Sequence, residues 1–148
     1  MFPRGHILYG LIFSFLFWAL FPVVAWYNVA LIFFASVFID FDHYMSAVWN
    51  SGKGSLFESF KYYEKLDKKA REEKKRGIFK KGDFHIFHTV EFHVLILVVG
   101  LTFNPFMYIF IGMFFHSLLD LYEMTKEGFV HRREFFFTNW IRRKIIRN

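Results

Sequence analysis

ILYGLIFSFLFWALFPVVAWYNVALIFFASVFI, residues 7–39, is an apolar run of 33 residues without one charged side chain. As a single straight helix it would rise about 50 Å, far more than the roughly 30 Å of a bilayer's hydrocarbon core. The run must therefore fold back on itself. Pro22 and Asn28 lie near its middle, with Trp26 and Tyr27 as interfacial aromatics between them. A tight turn there leaves two helices, residues 5–23 and 27–46. No small-residue cleavage pattern follows a short apolar core, so the N-terminal helix is expected to be retained.

A second apolar block, residues 84–121, repeats the arrangement, with Asn104 and Pro105 as its break. It predicts helices over 84–103 and 105–124. Composition agrees: 55% of the 148 residues are hydrophobic and 24% aromatic, beyond what the core of a soluble domain of this length requires. Between the hairpins, residues 53–81 carry 11 basic side chains against five acidic ones. Ser55 and Glu58 form a capping-box pattern there, and Leu56, Phe57, Phe60, Tyr63 and Leu66 then recur at helical spacing. This segment reads as an amphipathic helix on the membrane surface, and the tail as a second one, with Phe136, Phe137, Trp140, Ile141 and Ile145 among Arg142, Arg143, Lys144 and Arg147. The plainer alternative is a pair of solvated basic segments.

The expected fold is all-α: one integral membrane domain of four short transmembrane helices in two hairpins, an interfacial helix between them and a basic C-terminal helix. The two turns are uncharged, whereas both ends and the segment 50–82 are basic. The positive-inside rule therefore puts both termini and the basic segment on the cytoplasmic side of the cell membrane. The net charge of +6 then reads as contact with anionic lipid headgroups. No nucleic-acid readout motif accompanies it, so no nucleic-acid partner is expected. Cysteine is absent, which removes disulfides and thiolate metal ligands. Oligomeric state is left open.

With this topology the ionisable residues of the apolar blocks gather at one depth. Asp40, Asp42 and His43 end the second helix, His85 and His88 open the third, and His116, Asp120 and Glu123 end the fourth, with His6 at the start of the first. His116, Asp120 and Glu123 share a stripe at i, i+4, i+7; His85 and His88 are i, i+3, as are Asp40 and His43. Mixed imidazole and carboxylate donors favour a divalent ion, zinc or manganese foremost, with iron or magnesium as alternatives, and the number of donors leaves room for one or two. Asp40, Asp42, His43, His85, His88, His116 and Asp120 are the candidate ligands. Glu91 and Glu123 are candidate proton carriers, and His85 a candidate base. Taken singly, each of these residues also reads as a helix cap or interfacial anchor. His93 reads as an interhelical hydrogen-bonding residue, and His131 carries no signal.

Asp40-Phe41-Asp42-His43 at the end of an apolar helix, then His85, His88 and Thr89, then His116-Ser117-Leu118-Leu119-Asp120 resembles the family of membrane-bound metal-dependent hydrolases. That family is marked by an Asp-x-Asp-His signature, a His-Arg motif leading to Thr-His, and a late His-x-x-x-Asp. The first and last motifs match. The middle one departs, with Asp83 and Phe84 where the family carries His-Arg, so that only Lys80 or Lys81 offers a nearby positive charge. The resemblance implies a small multi-helix membrane protein with hydrolase activity. From the site's position, the expected reaction is attack of metal-activated water on a phosphoester or diphosphate of a lipid. A metal-ion or proton transporter and a non-catalytic, metal-tied scaffold are the alternatives.

Overall fold

The computed structural model describes the backbone of residues 3–147 and the side chains of residues 5–146. Arg4 and Arg147, part of the charge argument above, have side chains outside that range. The described residues form seven α-helices and no strand: α1 (Pro3–Leu20), α2 (Trp26–Phe38), α3 (Phe41–Ser51), α4 (Leu56–Lys75), α5 (Val90–Thr102), α6 (Asn104–Glu127) and α7 (Phe137–Arg147). Short 3-10 turns cover Ile86–His88 and Val130–Arg132. Helix α2 packs against α1 and α6, α5 against α6, and α3 against α4.

The first hairpin turns over residues 21–25, through the Phe21 N–H to Phe17 O and Val24 N–H to Phe21 O bonds. Asn28 therefore lies buried within α2 rather than in the turn. The second hairpin is tighter. Phe103 alone separates α5 from α6, and Pro105 enters the first turn of α6, where its missing N–H leaves no bond unmade.

Two expected helices are interrupted. The helix foreseen over 27–46 breaks at Ile39 and Asp40: the N–H of His43 reaches Asp40 O at 3.0 Å, a tightened three-residue turn, before α3 resumes. The helix foreseen over 84–103 begins only at Val90. Thr89, extended at ψ 151°, caps it by accepting the Phe92 N–H on its hydroxyl, and His85 is extended as well.

The late start of α5 shortens one of the expected spans. Two stretches, Trp26–Ser51 and Asn104–Glu127, are long and apolar enough to cross a membrane, whereas Gly5–Leu20 and Val90–Thr102 are shorter. The 13 residues of α5 rise only about 20 Å. Polarity is inverted relative to a water-soluble core. Phe15, Leu16, Leu20, Phe38 and Leu101 are exposed, while His6, Ser14, Ser36, Asp42, His88, His116 and Asp120 are buried. An exposed apolar surface this extensive marks contact with a membrane or with another protein.

The basic segment is helical as expected, but its start differs. Ser55 makes no side-chain cap bond, and Glu58 pairs with Lys53 at 3.0 Å instead. Leu56, Phe57 and Phe60 face outward; on the inner face Tyr63 donates to His43 O at 2.9 Å and Tyr62 to Asp83 at 2.8 Å.

Candidate metal centre

Close helix approach sets the site's frame. A Cβ on Gly112 of α6 would sit 2.2 Å from Ile32 O of α2, so α2 and α6 touch backbone to backbone. A Cβ on Gly10 of α1 would meet Ser36 Oγ at 2.3 Å. Small residues thus let three helices meet one turn from where His116, Asp40 and His6 point inward.

His116 is fully buried, and its Nδ1 lies 2.7 Å from Ser36 O. A carbonyl can only accept, so Nδ1 carries the proton and Nε2 presents a lone pair when the ring is neutral. His88 has the same arrangement: its Nδ1 is 3.1 Å from Asp42 Oδ2, which also accepts the Phe87 N–H at 2.9 Å. The two Nε2 atoms then face each other at 3.4 Å. A proton on either Nε2 makes this contact a hydrogen bond; with both rings neutral, the two lone pairs face one spot that a cation could occupy.

Carboxylates surround that spot. Asp40 Oδ1 is 3.3 Å from His116 Nε2 and 3.6 Å from His88 Nε2; Asp120 Oδ2 is 3.6 Å and 3.7 Å from the same two atoms. A tetrahedral ion about 2.1 Å from each donor requires donor–donor edges of about 3.4 Å, close to the five distances above, so these side chains could hold a metal ion. His6 adds a fifth donor, with Nε2 3.2 Å from Asp120 Oδ1 and its ring stacked on His116 at 4.0 Å.

A second group of donors lies beside the first: Asp42, His43 and His85. His43 and His85 stack at 3.7 Å, and His43 Nε2 is 3.6 Å from Asp40 Oδ1, which ties the two groups together. Asp42 Oδ1 and His85 Nδ1, 3.8 Å apart, are buried without a hydrogen-bond partner. Burial pushes the His85 imidazole down to about 4, so it is neutral and able to ligate at ordinary pH. Burial also opposes charge on His88, but its bonds to Asp40 and Asp42 outweigh that and hold it above the usual imidazole value.

The break at Ile39 and Asp40 explains how two carboxylates spaced i, i+2 serve one site. On a continuous helix they would point about 200° apart. Here Asp40 precedes the α3 axis and reaches His116, while Asp42 lies within α3 and reaches His88.

All seven residues named as ligands therefore meet here. Glu91 does not belong with them. Its carboxylate accepts the N–H groups of Phe137 and Thr138 and the Thr138 hydroxyl, at 3.0–3.2 Å, which makes it the anchor for the start of α7 rather than a proton carrier. Glu123 lies nearly a turn beyond Asp120 on α6, outside the four groups of metal-capable side chains found among the described residues. His93 bonds the Ser117 hydroxyl across α5 and α6, the interhelical role expected of it.

Sequence reasoning missed two contributors: His6 as a close donor, placed at the start of the first helix but not among the candidate ligands, and Arg133, whose guanidinium binds Asp120 Oδ2. Arg133 lies in the tail, and nothing in its spacing points to Asp120. Lys80 and Lys81, the substitutes considered for a missing arginine, instead pair with Glu73 and with Arg133 O. No known protein family, curated protein or solved structure matches the chain, so the reading of the site rests on its own geometry.

Proposed function

We propose that the chain is a metal-dependent hydrolase of the membrane interface, with its centre between His88, His116, Asp40 and Asp120. The observation that carries this reading is the pair of imidazole Nε2 atoms facing each other at 3.4 Å, each ring locked by an acceptor on its other nitrogen. When bound there, a divalent ion supplies an acidified water and polarises the scissile group. The chain's own residues set the conditions. Asp42 and Ser36 O fix the two tautomers, and His85, neutral and near His43, offers a further ligating nitrogen. His6 keeps Asp120 turned toward the pocket.

The two shorter apolar helices complete a four-span bundle when their polar ends are counted, with both termini and the basic segment on the cytoplasmic side and α4 and α7 lying against anionic headgroups. The centre then sits near headgroup depth. That favours a lipid phosphoester or diphosphate as substrate, in keeping with the motif resemblance. Passage of ions is disfavoured, because the donors gather at one end of the helices. A purely structural metal is the second reading, favoured by donors arriving from α1, the α2–α3 break, the Ile86–His88 turn and α6 together.

The test is release of phosphate from mixed lipid substrates by purified protein. Activity should vanish with chelator and return with zinc or manganese, and should be absent in His88→Ala and Asp120→Ala. Activity that survives both variants sinks the hydrolase reading. Tight metal binding with no turnover of any phosphorylated lipid favours the structural one.

A further inference from the structure

Arg133 follows the Val130–Arg132 turn and sends its guanidinium to Asp120 Oδ2. The side chain is 9% exposed, and its backbone is pinned to the segment that leads into His85 and His88. Gly82 N–H donates to Arg132 O at 2.8 Å, and Lys81 Nζ donates to Arg133 O at 2.7 Å. Among the described residues the guanidinium hydrogen-bonds Asp120 alone, although it is a rigid fork with five N–H donors.

The oxygen it binds is the one that lies 3.6 Å from His116 Nε2 and 3.7 Å from His88 Nε2. A cation held between those nitrogens would therefore share a single carboxylate oxygen with the Arg133 guanidinium. Two positive groups so close repel strongly inside a protein. An anion with two oxygens on one centre bridges such a pair and removes the repulsion, and a phosphoryl group matches the planar fork of an arginine.

We propose that Arg133 binds the phosphoryl oxygens of the substrate and so restricts the centre to phosphoesters and diphosphates, as against amides and neutral esters. This rests on the metal-dependent reading above. A merely structural Arg133 would do no more than neutralise Asp120, and the two roles move metal affinity differently. Losing a nearby positive charge leaves metal binding unchanged or tighter. Losing a structural anchor of Asp120 weakens it.

The experiment is calorimetry on zinc-loaded protein in detergent, titrated with inorganic phosphate and separately with a short-chain phosphatidate. Wild type should bind at least one of the two. Arg133→Ala should lose about tenfold or more in that affinity while holding zinc at least as well as wild type, with Arg133→Lys between them. Tighter binding of phosphatidate by wild type identifies a lipid headgroup as the source of the phosphoryl group; equal binding identifies free phosphate. Equal anion affinity in wild type and Arg133→Ala overturns the proposal, as does a parallel loss of zinc. Should Arg133→Ala fail to fold, Arg133→Lys decides by the same comparison. Zinc-loaded wild type that binds neither probe sinks the proposal and spares the metal centre. Wild type that takes up no metal sinks both.

Discussion

At the residue scale the site is a problem of proton placement. His88 and His116 each give Nδ1–H to an acceptor, so a metal would meet two oriented lone pairs once both rings are neutral. Asp42→Asn keeps the shape and removes the charge. It should weaken metal binding about 10–100-fold without abolishing it, measured by competition with a chelating dye. The sign of the pH dependence follows from His88. Its value is raised in the apo protein, so in acid a proton occupies the nitrogen a metal needs. Metal affinity should fall as pH drops through that raised value, and a flat profile between about pH 8 and about pH 5 would contradict the assignment of His88 as a ligand. Glu91 gives a control. Glu91→Ala removes the anchor of α7 and should cost about 1 kcal/mol of stability, seen as a lower Tm, with metal affinity unchanged. The histidine and aspartate positions were legible because such groups rarely enter apolar segments. Arg133 was not, because its partner lies 13 residues back on another element, and basic residues in a tail look alike in sequence.

At the element scale the site depends on interruptions in two helices and on close contact between others. Periodicity identified the apolar segments but ran through the break at Ile39 and Asp40, since apolar side chains continue up to it without a proline or glycine. The segment before Val90 was likewise read as helix, although Thr89 caps and starts α5 where the pattern alone gives no stop. Those interruptions are what let Asp40 and Asp42 reach the same imidazole, His88, at 3.6 Å and 3.1 Å. Gly112 is the sharpest test of the packing. Gly112→Ala places a methyl 2.2 Å from Ile32 O and must push α2 from α6. It should destabilise by about 1–3 kcal/mol and weaken metal binding as His116 moves from Asp40, both read on one detergent-solubilised sample. Unchanged Tm and metal affinity would mean that α2 and α6 do not touch as described.

At the scale of the whole molecule, the apolar helices turn large apolar side chains outward and hold His6, Asp42, His88, His116 and Asp120 within. The apolar surface was legible from composition, and the all-helical class from the length of the apolar runs and the helical spacing of Leu56, Phe57, Phe60, Tyr63 and Leu66. The number of full-length spans was not, because α5 starts only after Thr89 and loses length that hydropathy alone counts as helix. If a metal ties α1, the α2–α3 break, the Ile86–His88 turn and α6 together, stripping it should lower Tm, and restoring zinc should recover it in proportion to metal bound. The central claim is that these segments deliver their donors to one cation, and anomalous scattering from crystals grown with zinc tests it most directly. The account predicts a single dominant peak within about 2.0–2.2 Å of His88 Nε2, His116 Nε2 and at least one of Asp40 and Asp120. Zinc only at surface carboxylates, with His88 and His116 left facing each other across nothing, would contradict it.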